Sequence, residues 1–177
     1  MNKSANIAII TGAAVIGAAV YLLLYKNRKE YNMKTTTTNN NSTLPRGYRN
    51  NNPLNIRYNS ANKWQWAVAK NTDGTFEQFT TMAYGYRAAL VLLRKYINTY
   101  GLHTVTEIIN RWAPPTENNT SGYISRVIGT NGWTASTVID ADDKEQMCKL
   151  VYAMALVENG YSVLPNMNEI YQGWNLL

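Results

Sequence analysis

The sequence predicts an α+β protein, mainly helical with a small antiparallel sheet, preceded by one N-terminal transmembrane helix. Three observations carry this. An uncharged run, IAIITGAAVIGAAVYLLL, fills residues 7–24. Short aromatic and β-branched segments then alternate with Asn, Ser and Asp-Gly turns. After Gly85 the apolar period lengthens from two to between three and four residues.

The uncharged run spans roughly 27 Å as a helix, close to the hydrocarbon thickness of a bilayer. Tyr21 and Tyr25 stand near one end, where an interface would hold them, so the expected bilayer contact covers residues 7–25. Small residues lie inside the run rather than after it, which favours a retained anchor over a cleaved signal peptide. Lys26, Arg28, Lys29 and Lys34 follow it, whereas Lys3 precedes it, a bias that orients a single-pass protein with its C-terminal part on the cytoplasmic side. Residues 1–34 thus read as an anchor with a basic flank, residues 35–43 (TTTTNNNST) as a polar linker, and residues 44–177 as the folded domain.

Within that domain, residues 55–58, 64–68 and 75–79 are the expected strands, with Asp73-Gly74 as a turn. Tyr86, Ala89, Leu90, Leu93 and Ile97 share one helical face, and Gly101 stops the helix. Thr104 with Glu107 forms a capping-box start for a helix carrying Val105, Ile108, Ile109 and Trp112, ended by Pro114-Pro115. Thr120 caps a short helix bearing Tyr123, Ile124, Val127 and Ile128. Asp140, Asp142 and Asp143 open the last long helix, whose stripe is Met147, Leu150, Val151, Met154 and Val157, with Gly160 as its stop. Glu169 lies in a tail with no clear frame.

Of 177 residues, 45% are hydrophobic and 16% charged, which supports a packed core over disorder. One cysteine and one histidine argue against disulfide, histidine-rich metal or Ser-His-Asp chemistry, so no metal and no cofactor are expected. The net charge of +6 suits several polyanions. Five basic and one acidic side chain fall in residues 1–34, against twelve and ten in the remainder, so most of the excess flanks the anchor. No basic run or periodic basic face marks a nucleic-acid site, and no nucleic-acid partner is expected.

With eleven acidic residues, elimination is informative. Glu158 stands about 20° from both Val151 and Met147 on its helix, on the apolar stripe, where lost hydration raises a carboxyl pKa toward the range of a general acid. A carboxylate at the helix end turned into solvent is the plain alternative. Glu117, before a helix start, has an equally plain reading in the helix dipole, and Glu77 in TFEQF reads as the exposed face of a strand. The segment RGYRNNNPLNIRY concentrates arginines with Asn50, Asn51, Asn52 and Asn55, and ends in Arg57 and Tyr58. Amides of this kind suit hydroxyl-rich and acetamido-rich ligands, although asparagines also build turns. Trp112, Trp64, Trp66 and Trp133 offer faces for sugar rings or for the core.

The combination RNNNPLNIR, FEQF, GYRA, WAPPTEN and ENG resembles phage-encoded lysozyme-like proteins, described as virion structural proteins or lytic transglycosylases. The likeness runs from about Arg46 to Gly160. It implies a lysozyme-like α+β domain cleaving the β-1,4 bond between N-acetylmuramic acid and N-acetylglucosamine, with peptidoglycan as partner and other virion proteins as further partners. It also implies a place in a virion membrane or the host cell envelope. A looser resemblance to soluble-lytic-transglycosylase domains matches GYRAALVLLRKY, NRWAPP and ENNTSGYISRV in order, but no Glu precedes Asn52-Pro53. KLVYAMALVENG looks like the missing helix, as in a circular permutation, with Glu158 as the acid and Glu117 as the family's second, supporting glutamate. Tyr123 and Trp112 belong to the implied substrate cleft together with Asn50, Asn51, Asn52, Asn55 and Arg57. One strong acid favours transglycosylation over two-carboxylate hydrolysis, for which Glu117 is the candidate partner. The competing expectation is a membrane-anchored virion or cell-wall-binding protein without catalysis.

Overall fold

The computed structural model describes residues 43–177, which fall within a compact unit comprising Asn41–Leu177. Six α-helices run through it: α1 (Arg46–Arg49), α2 (Met82–Asn98), α3 (Val105–Trp112), α4 (Thr120–Asn131), α5 (Lys144–Asn159) and α6 (Met167–Asn175). The core forms where their apolar stripes meet. Tyr86, Leu90 and Leu93 of α2, Ile108 and Ile109 of α3, and Met147, Leu150, Val151 and Met154 of α5 are all fully buried. Burying each such side chain contributes about 1.5–3 kcal/mol, which offsets the ordering of the chain around them.

Local chemistry sets the helix ends. Thr104 and Glu107 form the reciprocal capping box at the start of α3. Asp143 caps α5 by accepting from the Gln146 N–H. At α4 the cap is Asn119, which accepts from the Gly122 N–H, so Thr120 is the first helical residue instead. Thr120 turns its hydroxyl inward to the Ala113 carbonyl, 2.6 Å away. Helix α6, for which spacing around Glu169 supplies no frame, packs on α2. Gly173 permits this, since a Cβ there would lie 2.9 Å from both the Ala83 carbonyl oxygen and the Arg87 nitrogen.

The expected α+β class is corrected: the described residues are helical, with no strand among them. Residues 55–58, 64–68 and 75–79 do cross, through Tyr58 N to Thr75 O, Glu77 N to Ile56 O, Val68 N to Gln78 O and Thr80 N to Trp66 O. They pair only as isolated antiparallel bridges, Arg57 with Phe76 and Ala67 with Phe79. Two causes stop a ladder. Asn55 and Trp66 adopt left-handed backbone (φ 50° and 57°), which no extended strand contains. Side-chain amides also take carbonyls a neighbouring strand would use, Asn52 bonding Glu77 O and Asn71 bonding Phe76 O.

The expected membrane helix over residues 7–24, and with it the bilayer contact through residues 7–25, lies outside the described residues. Among the described residues no helix is long and apolar enough to cross a membrane. The expectation of a single-pass membrane location is corrected to that extent: among the described residues the longest helix, α2, buries Tyr86, Leu90 and Leu93 in the core.

Candidate functional site

The end of α5 is where a buried stripe reaches a cleft. Met147, Val151 and Met154 hold the helix in the core, and one turn later the same face presents Glu158, half-buried. Three elements aim donors at its carboxylate. The Trp112 indole N–H, at the last residue of α3, donates to Oε1 at 3.0 Å. The Tyr123 hydroxyl, in the first turn of α4, donates to the same oxygen at 3.1 Å. Asn55, in the loop after α1, donates through Nδ2 to Oε2 at 3.0 Å. A carboxylate has about four lone-pair sites, so these bonds fix its orientation and leave one site open on Oε2.

Each donor is itself held. Trp112 makes an edge contact with Tyr96, ring centroids 6.3 Å apart. Tyr123 is buried; that burial, then the Glu158 charge and the hydrogen bond to it, hold its hydroxyl well above the ordinary tyrosine pKa, so it stays a proton donor. Asn55 is set by its left-handed backbone, which asparagine tolerates. Asn159, next to Glu158, donates to Pro53 O at 2.7 Å and Ala155 O at 3.0 Å, tying the loop to α5. Gly47 lets this happen, because a Cβ there would collide with the Asn159 side chain and lie 2.9 Å from Asn52 O and 3.0 Å from Asn55 Oδ1.

Glu158 and Val157 form one wall of a cleft of about 300 Å³. Gly122, Tyr123 and Arg126 of α4, with Asn118 and Asn119 before it, form the other. Asn119, Gly122, Tyr123 and Arg126 recur at helical spacing and so share one face at the start of α4. Arg126, Asn118, Asn119, Asn159 and Gly47 are not among the residues the sequence marks, because they belong neither to a carboxylate on an apolar stripe nor to the asparagine cluster of residues 50–55.

The other expected site residues divide. Asn50 spends its amide on Asp73 and Gln78, Asn51 on Phe79 O, and Asn52 on Ile56 and Glu77. These are bonds within the protein, and Asn50 and Asn52 are buried. Arg57 and Glu117 form an exposed ion pair at 3.6 Å. Glu117 neither bonds Glu158 nor lines the cleft. Glu77, read as exposed, is 3% exposed, and burial pushes its carboxyl pKa up although the Asn59 N–H bonds it. Asp73 accepts a two-point bond from Arg46, whose guanidinium, with Asn50 and the Phe76 N–H, holds its carboxyl well below the usual range. Burial pushes the Cys148 thiol up to about 11, which leaves it a poor nucleophile. Among the described residues no group of three or more His, Cys, Asp or Glu side chains converges as a metal site would require.

No family model matches the chain. It is 40% identical over 117 residues to Protein P5 of Pseudoalteromonas phage PM2, a stretch covering 65% of this chain and 71% of that protein. The chain therefore belongs to the family of that bacteriophage protein.

Proposed function

We propose that the protein is a peptidoglycan-cleaving lytic transglycosylase in which Glu158 is the acid and base. The observation that carries this reading is a half-buried carboxylate at a cleft, oriented by donors from three separate elements, with one lone-pair site of Oε2 open. A proton on that oxygen passes to the glycosidic oxygen as the C1–O bond breaks. The carboxylate then takes the proton of the sugar's own C6 hydroxyl as that oxygen bonds C1, which closes a 1,6-anhydro ring and returns Glu158 to its starting state. One carboxylate suffices for both transfers. A hydrolase of the usual kind needs a second one beside the scissile bond, and Glu117 is engaged with Arg57 at the surface.

Digestion of purified peptidoglycan by the full chain and by Glu158→Gln tests this. Expected is release of anhydro-ended fragments by the parent and a loss of about 10²–10⁴-fold in Glu158→Gln. The substitution is accommodated by the site: the new amide oxygen accepts from Trp112 and Tyr123, and Asn55 turns its carboxamide so that Oδ1, buried and without a partner, accepts from the new NH2. Full activity in Glu158→Gln overturns the assignment. Reducing ends in place of anhydro ends convert the reading to hydrolysis, and no cleavage by the parent leaves a glycan-binding domain.

A further inference from the structure

The cleft beside Glu158 contains a cation with no anion to meet it. The Arg126 guanidinium is exposed, lines the cleft, and makes no hydrogen bond or ion pair to any described residue. Five other described arginines are engaged, Arg46, Arg57 and Arg94 with carboxylates, Arg87 with the Leu176 carbonyl and Arg111 over the Tyr96 and Tyr100 rings, and Arg49, exposed on α1, does not line the cleft. Glu158 is the acidic residue lining the same cleft, yet its oxygens face Trp112, Tyr123 and Asn55 rather than Arg126.

Of the two asparagines lining the cleft, Asn118 spends its amide nitrogen on Pro114 O. Asn119 spends its carboxamide oxygen on Gly122 N (3.0 Å) and Ser121 Oγ (3.1 Å), so toward a ligand it offers its NH2. Arg126 follows Tyr123 by three residues, which displaces it about 4.5 Å along α4 from the group that bonds Glu158. A ligand held at Glu158 along this cleft therefore also meets the Arg126 guanidinium. A guanidinium meets a carboxylate with two parallel N–H bonds, a geometry that neutral hydroxyls do not match.

The geometry points to Arg126 as the residue that recognises a carboxylate carried by the glycan, on the lactyl ether of muramic acid or on the peptide attached to it. This rests on the proposed reading of the cleft as a peptidoglycan site and adds what distinguishes that polymer from an oligomer of N-acetylglucosamine, which has no carboxylate.

The test measures binding in the full chain carrying Glu158→Gln, so that cleavage does not consume the probes, with and without Arg126→Gln or Arg126→Lys. The probes are an N-acetylglucosamine tetramer, the tetrasaccharide of alternating N-acetylglucosamine and N-acetylmuramic acid, and the same tetrasaccharide bearing stem peptides. Expected is a preference for carboxylate-bearing probes of about tenfold that weakens with salt, disappears in Arg126→Gln and is only partly retained in Arg126→Lys, which keeps the charge but loses the two-point geometry. The stem peptide is attached by an amide to the lactyl carboxyl, so the peptide-bearing probe carries only peptide carboxylates. Loss for the peptide-free muramic probe alone identifies the lactyl carboxylate, loss for the peptide-bearing probe alone identifies the stem, and loss for both identifies recognition of either carboxylate. The inference is overturned if the Glu158→Gln chain shows no preference, or if Arg126→Gln keeps it. Cleavage by the unsubstituted chain, scored separately, distinguishes the two failures: cleavage without an Arg126-dependent preference removes this inference alone, and preference without cleavage removes the catalytic reading alone.

Discussion

Asn52 and Asn55 stand three residues apart in one asparagine-rich loop and face opposite problems. Asn52 is fully buried, and its amide bonds both the N–H and the carbonyl of Ile56 and the carbonyl of Glu77. Asn55 is half-buried at left-handed φ and turns its amide outward to the Glu158 carboxylate. One serves the loop, the other the cleft. The difference teaches that residue type marks a region for polar recognition, while the path of the backbone decides which member reaches a ligand.

The contrast can be broken from either side. Glu158→Gln has the largest expected effect on activity and should leave the melting temperature near that of the parent, since Asn55 is able to turn toward the new amide. Asn52→Ala should do the reverse. It strands the Ile56 N–H and the Glu77 carbonyl in the interior, at a cost of about 3 kcal/mol by chemical denaturation. Asn55→Gly keeps the backbone conformation and removes the donor to Oε2; a loss of about tenfold in cleavage rate with little change in stability is expected, and equal losses in both would make Asn55 a second scaffold residue.

Two smaller effects sharpen the comparison among the carboxylates. Burial favours protonated Glu77 in the folded chain, so between the ordinary glutamate pKa and the raised one the folded protein holds more protons than the unfolded. Stability contributed at this position therefore falls as pH rises from about 4. Glu77→Gln, with no proton to lose, should flatten that part of the curve of melting temperature against pH, and an unchanged curve would count against a buried carboxyl there. Glu117→Gln should have the smallest effect of all, on stability because the Arg57 pair is exposed, and on cleavage because Glu117 is outside the cleft. A loss comparable to that of Glu158→Gln would instead make Glu117 the second carboxylate of a hydrolase.

Much of the helical framework was legible. The faces of α2, α3 and α5 follow from apolar spacing, because burial of one stripe is the dominant local requirement on an amphipathic helix. The capping box at Thr104 and Glu107 is equally local. Helix α6 was not legible: its short stripe of Ile170 and Gly173 acquires meaning only against α2. The sheet failed for a related reason. Alternation identified segments that cross, but left-handed Asn55 and Trp66 and amides bonding carbonyls limited them to single bridges.

The sequence by itself determined that Glu158 leaves the core on the apolar side of its helix, because helical periodicity converts spacing into direction. It also marked Trp112, Tyr123 and Asn55 as polar-capable groups worth attention. Only the tertiary structure decided that these three, separated along the chain, converge on the two oxygens of Glu158, and that Glu117 does not. It also decided that Glu77 is buried and that Arg126 reaches the cleft unpaired. Spacing along one helix is a local quantity, whereas the meeting of α3, α4, α5 and the asparagine loop depends on how their buried faces pack.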